Sequence, residues 1–143
     1  MENKSEIITK EVIEALREAF TQLTEPVAIE VYTKIGENDM FNDFTADLIG
    51  AMSKVTNKIK LNFYKIGDEQ SKKRNVLRSP TVLIAPDRYN IRYTGAPAGE
   101  EGRSIVMAVI MASTGQSILS DDAKKRLNRL KEKRHIRVFV SPT

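Results

Sequence analysis

Ser79-Pro80-Thr81-Val82-Leu83-Ile84-Ala85-Pro86-Asp87-Arg88-Tyr89-Asn90-Ile91-Arg92-Tyr93-Thr94-Gly95-Ala96-Pro97-Ala98-Gly99 is the stretch that decides the fold. The nearly all-apolar run 81–85 predicts a short buried strand, and residues 86–90 have the composition of a turn. Residues 91–94 then predict the return strand of a hairpin. The Gly and Pro of 95–99 interrupt the chain again, and a helix is expected over 100–114 with Gly115 as its stop. The bond before Pro80 can be cis, because the trans preference at an X-Pro bond is only ~0.5–1 kcal/mol.

Upstream, Ile8, Val12, Ile13, Leu16, Ala19, Phe20 and Leu23 recur at helical spacing and predict a helix over 5–22. Thr24-Glu25-Pro26 ends it, since a residue before proline resists helical geometry. A strand over 27–33 follows, with Val27, Ile29 and Val31 on one side and Ala28 and Glu30 on the other. After the loop 34–38 a second helix is expected over 39–55, its buried stripe made of Met40, Phe41, Phe44, Leu48, Ile49, Met52 and Val55. Ile59, Leu61 and Phe63 alternate with Lys60, Asn62 and Tyr64, the period of a strand with one wetter face. Asp68 can cap a short helix through Arg74, and Asn75 suits the left-handed residue that ends one. This order predicts an α/β fold: a mixed four-stranded sheet with helices on both faces and an extra N-terminal helix.

The opening move then returns. A shift of 107 positions lays Leu16, Phe20, Leu23, Glu25, Ile29, Val31 and Tyr32 onto Ala123, Leu127, Leu130, Glu132, Ile136, Val138 and Phe139, with four of the seven pairs identical. Such self-similarity is the mark of duplication. Two parts are therefore expected: a complete unit over 1–118, and over 119–143 the first helix and strand of a second. Ser120 would cap the second copy's helix, with Asp121 and Asp122 in its first turn, and 135–140 would be its strand. The second copy is read as cut at Ser141-Pro142-Thr143, where its chemistry would begin. Eight consecutive apolar residues, 105–112, make the preceding helix apolar all round, so it needs cover on two sides. Ile105, Val106, Val109 and Ile110 are the expected interface with a second unit, with self-association as the outcome where that unit is lacking. Met107 and Met111 are read as packing.

Composition narrows the chemistry. Cysteine is absent, which removes disulfides, thiolate metal sites and a Cys nucleophile, and the single histidine, His135, excludes a multi-histidine metal site. No apolar run reaches the ~20 residues of a membrane helix, and the charged N-terminal segment is no signal peptide, so a cytoplasmic protein without membrane contact is expected. The net charge of +4 is concentrated late: residues 121–143 hold eight Lys and Arg against three acids. A basic stretch can mark a nucleic-acid surface, but no aromatic side chains interleave with 124–137, so that role for Lys124 to Arg137 is kept as the lower alternative.

These elements resemble the thioredoxin fold, a βαβ crossover followed by a ββα unit. Ser79-Pro80-Thr81 resembles the cis-proline loop beside the thioredoxin active site, and Gly95-Ala96-Pro97-Ala98-Gly99 the Gly-x-Pro-x-Gly segment before the last helix of protein disulfide oxidoreductases. Residues 135–143 resemble the strand and loop that precede Cys-Pro-Tyr-Cys in the second unit of that glutaredoxin-like family. Two relatives fit: the tandem-thioredoxin protein disulfide oxidoreductases, and the N-terminal domain of the alkyl hydroperoxide reductase F subunit, in which only the later unit carries Cys-x-x-Cys. Asp39-Met40-Phe41-Asn42 stands where the first unit's cysteines would be, and Gly99-Glu100-Glu101-Gly102 departs from the family's Gly-His-Glu-Phe.

Thioredoxin chemistry needs a thiolate at a helix N-terminus and a second thiol in reach. Asp39 and Asn42 supply neither, and they are read as helix-capping residues; for the rival reading, acid catalysis by Asp39 or Asp43, spacing in the sequence implies no second titratable group. The resemblance implies a redox-inactive scaffold unit, not an enzyme by itself, in a disulfide reductase serving redox homeostasis whose dithiol lies beyond Thr143. It implies no cofactor in this chain, with flavin and nicotinamide in the parent or a partner. The implied partners are a second thioredoxin-fold unit of the same polypeptide, a flavoprotein reductase and a peroxiredoxin. The alternative is a peptide-binding or chaperone-like module using the backbone edge at Pro80.

Overall fold

The computed structural model describes residues 8–141, so Ser5 to Ile7 of the expected first helix and Pro142 and Thr143 of the tail lie outside the described residues. Helix α1 (Lys10–Ala19) begins at Thr9, whose hydroxyl accepts the Val12 amide, and tightens into a 3-10 turn over Phe20–Gln22. Strand β1 (Val27–Thr33), helix α2 (Asp39–Lys54) and strand β2 (Ile59–Lys65) form a parallel crossover, Val27 opposite Ile59 and Thr33 opposite Lys65. Asp68 accepts the Ser71 amide at 2.7 Å to start α3 (Glu69–Lys73), and Asn75 leaves that helix with φ +52°. Strands β3 (Thr81–Ile84) and β4 (Ile91–Thr94) form the hairpin, β3 running antiparallel to β1. The spatial order β2-β1-β3-β4 is the mixed four-stranded sheet of a thioredoxin-like fold.

Period-two alternation sorts the sheet into two faces. Val27, Ile29, Val31, Val82 and Ile84 point into the main core against Leu16 of α1, Phe20 of the 3-10 turn, Ile49 and Met52 of α2, and Ile105 and Val109 of helix α4 (Glu100–Thr114). Tyr32 and Leu83 point the other way, into a smaller cluster with Val76, Tyr64 and Ile66 beside α3. The apolar face of β2 fades along its length: Ile59 is buried, Phe63 is 54% exposed. Gly115, at φ +67°, stops α4 as expected. Ser113 ties the end of that helix to the turn before β1. Its hydroxyl donates to Glu25 O at 2.6 Å and accepts the amides of Thr24 and Glu25.

Three expectations are corrected. The buried face of α2 runs through Asn42, Thr45, Ile49 and Met52, while Met40 and Phe41 are 73% and 48% exposed. Its first turn is fixed by polar side chains, described below, and these rotate the apolar pair outward. Second, Ile105, Val109 and Ile110 are buried in this unit's own core, so of the four proposed interface residues only Val106 is partly open. The outward side of α4 is Arg103, Ser104 and Met107, and one layer of cover is enough for this helix. Third, 135–140 forms no strand. Helix α5 (Asp121–Asn128) is present and capped by Ser120, but residues 130–140 are exposed and 135–140 have no ladder partner, and a strand exists only through pairing.

Candidate functional site

The resemblance directs attention to the end of β1, the start of α2 and the turn before β3. The Ser79–Pro80 bond is cis, and both residues are buried. Ser79 is the hub. Its hydroxyl accepts the Lys34 amide at 2.7 Å and donates to Asn42 Oδ1 at 2.8 Å, while its carbonyl accepts from Asn38 Nδ2 at 2.8 Å. Asn42 spends its two amide hydrogens on the carbonyls of Lys34 (3.1 Å) and Glu37 (2.8 Å). The side chain is thus satisfied on three sides, which permits an amide that is only 7% exposed.

Asp39 and Asn42 do not cap α2 in the expected way. The cap position belongs to Asn38, in the left-handed region at φ +60° and without a side-chain cap bond. Asp39 Oδ1 instead accepts the Gly36 amide at 2.8 Å, and Asn42 reaches back to the loop and across to Ser79. Thr81, the third residue of the cis-proline-like loop, is also occupied: its hydroxyl donates to Arg78 O at 2.7 Å. Carboxamide and hydroxyl groups thus fill the space between helix start and turn, and none of them is a redox group. Sequence reading missed the Asn42–Ser79 pair because 37 residues separate its members; the available signal was a polar residue on the inward stripe of α2.

The opposite face of the sheet holds a second polar cluster. Glu30, 6% exposed on the central strand, accepts from Tyr32 Oη at 2.6 Å, from Gln70 Nε2 at 3.1 Å and from Arg74 Nε and Nη2, each at 3.2 Å. Arg74 also reaches Asp87 Oδ1 at 2.6 Å. Burial and the Glu30 carboxylate push the Tyr32 hydroxyl well above the ordinary tyrosine range. Hydrogen bonds to Asp87 and Glu30 hold the Arg74 guanidinium protonated beyond its ordinary value, and Arg74 in turn draws the Asp87 carboxyl down. Tyr32 stacks on Tyr64 with ring centroids 5.3 Å apart. This cluster ties α3 and the β3–β4 turn to β1; every strong donor in it faces an acceptor, which suits a structural clamp.

No group of three His, Cys, Asp or Glu among the described residues is placed to hold a metal ion, and no described helix is long and apolar enough to cross a membrane. Lys124 is half-buried and Lys125 to Arg137 are exposed along α5 and the segment after it, with ion pairs Lys124–Asp121, Arg126–Asp122 and Arg134–Glu132.

Sheet order, a cis-proline turn and a helix start facing it define the class: a thioredoxin-like fold whose active-site position carries no thiol. Solved structures place the chain further. It is similar to a protein disulfide oxidoreductase from Aeropyrum pernix, with a TM-score of 0.76 and 27% identity over 89% of this chain and 57% of that one. It is also similar to the F subunit of the Enterococcus faecalis alkyl hydroperoxide reductase (TM-score 0.73, 20% identity, 87% of this chain and 62% of that one). The N-terminal domain of the same reductase component matches likewise (TM-score 0.69, 19% identity, 84% and 59%). These are the two relatives whose motifs the sequence resembles, and the chain spans about three fifths of the length of each solved chain. No protein-family model and no curated protein matches the chain.

Proposed function

We propose that this chain is a redox-inactive thioredoxin-fold scaffold in a tandem-thioredoxin disulfide reductase, the dithiol being carried by a second unit whose opening helix and strand have their sequence pattern in residues 119–143. One observation carries the reading. Phe20, Leu23, Ile29, Val31 and Tyr32 are at most 4% exposed, whereas Leu127, Leu130, Ile136, Val138 and Phe139, their counterparts 107 positions on, are 48–90% exposed. The turn that closes each helix repeats too: Leu23 N donates to Phe20 O, and Leu130 N to Leu127 O. A second copy of the core pattern is therefore laid out with nothing over it.

In this reading electrons pass from a flavoprotein reductase domain or partner through the second unit's dithiol to a disulfide or a peroxiredoxin, and Asp39 to Asn42 take no part. In the parent, changing the second unit's cysteines to serine is expected to abolish reduction of a disulfide substrate. Asn42→Ala should leave turnover within about twofold, since it removes no reacting group. Loss of turnover with Asn42→Ala in a folded protein would overturn the scaffold role. The peptide-binding alternative finds the Pro80 edge already bonded: Pro80 O accepts from Gly95 N at 2.9 Å and Ser79 O from Asn38.

A further inference from the structure

Helix α2 turns a row of acids to solvent. Asp39, Asp43 and Asp47 recur every four residues, the spacing that keeps side chains on one face of a helix, and all three are exposed. Met40, 73% exposed, and the half-buried Phe44 line one side of that row, and Lys54 closes it at the end of the helix. The outer face of α2 is therefore acidic and apolar together.

Helix α5 carries the complement. Ala123 and Leu127, continued by Leu130, form one apolar stripe, with Lys124 on one flank and Arg126 on the other. Lys124 and Arg126 pair with Asp121 and Asp122 of their own helix, but exposed pairs of this kind exchange at little cost. Beyond the helix, Arg129, Lys131, Lys133, Arg134 and Arg137 stand against the single acid Glu132. The lengths match as well: the eight residues of α5 and the step from Asp39 to Asp47 each cover about 12 Å of helix.

We propose that the outer face of α2 is the docking surface for α5 of a second copy of this chain, the apolar stripe covering Met40 and Phe44 while the flanking cations face the aspartates. A second copy supplies the helix because α5 buries no residue within its own chain. Each copy offers both the surface and the segment, so the exchange is reciprocal and closes as a dimer. This contact goes beyond the scaffold role and is independent of where a dithiol lies.

Sedimentation equilibrium of the full chain at low salt provides the test. D43K/D47K, with both changes on the solvent side of α2, is expected to dimerise about tenfold more weakly than the unaltered chain, the factor that two reversed exposed pairs supply. K124E/R126E should lose as much. An equal mixture of the two variants should regain it, since both contacts of the mixed dimer then pair opposite charges. Should K124E/R126E unfold α5, cross-linking decides, because the chain has no cysteine of its own. D47C mixed with K124C under oxidation should give mainly the disulfide joining position 47 of one copy to position 124 of the other. A monomeric unaltered chain, dimerisation unmoved by D43K/D47K, no regain in a mixture of folded variants, or a D47C/K124C chain that closes the disulfide within itself would each overturn the docking.

Discussion

Ser79 shows how one small side chain can hold a site together. Its hydroxyl and carbonyl serve three residues of the facing loop, Lys34, Asn38 and Asn42. Removing the hydroxyl leaves a buried Asn42 oxygen and the Lys34 amide without their partner, a loss of about 2 kcal/mol. Ser79→Ala should therefore lower the unfolding free energy by that amount, read as a lower urea midpoint at an unchanged m-value; a shift within error would show the hub to be incidental. Tyr32 supplies a pH signature. Its folded pKa lies above the value of 10.0 it has when unfolded, so its contribution is complete below pH 10 and is lost as the pH rises toward the folded value. Between those limits stability falls by up to about 1.4 kcal/mol per pH unit. Urea melts at pH 9, 10 and 11 should show this slope in the unaltered chain and a shallower one in Tyr32→Phe; equal slopes would remove Tyr32 as its source.

At the scale of elements, legibility followed periodicity. Strands β1, β3 and β4 and helix α4 lie where alternation and glycine–proline punctuation put them, because those signals are local. Helix α2 also lies where its periodicity puts it along the chain, but its first turn faces the other way. Met40 and Phe41 are apolar and open while Asn42 is polar and buried, an inversion dictated by Ser79, a partner from another element. Glu30 is a similar case: its wet-face position on β1 is covered by Arg74 of the segment after α3. Residues 135–140 have the composition of a strand, yet composition cannot supply the neighbour that makes one. Helix α5 buries no residue and 130–140 is exposed throughout. Truncation after Gly115 is accordingly expected to leave the unfolding free energy of the remaining unit within about 0.5 kcal/mol, as for surface changes that touch no packed group. A larger loss would mean that the segment packs on the unit.

The whole molecule joins a closed core to an open one. The first copy of the repeated pattern lies under α2, α4 and β3; the second presents Leu127, Leu130, Ile136, Val138 and Phe139 to solvent. Exposed apolar surface of that kind drives association. Sedimentation of the full chain should show mass rising with concentration, whereas a chain truncated after Gly115 stays monomeric; a monomeric full chain at all concentrations would argue against it. The central claim, that the fold persists here while the chemistry resides in a second unit, bears most directly on the parent reading frame. The shift of 107 that maps Leu23 onto Leu130 carries 39 and 42, where Asp39 and Asn42 stand, to positions 146 and 149. Sequencing the parent transcript through those positions should find Cys-x-x-Cys there or within a few residues; a frame that closes at Thr143, or runs on without a cysteine pair, would contradict the account.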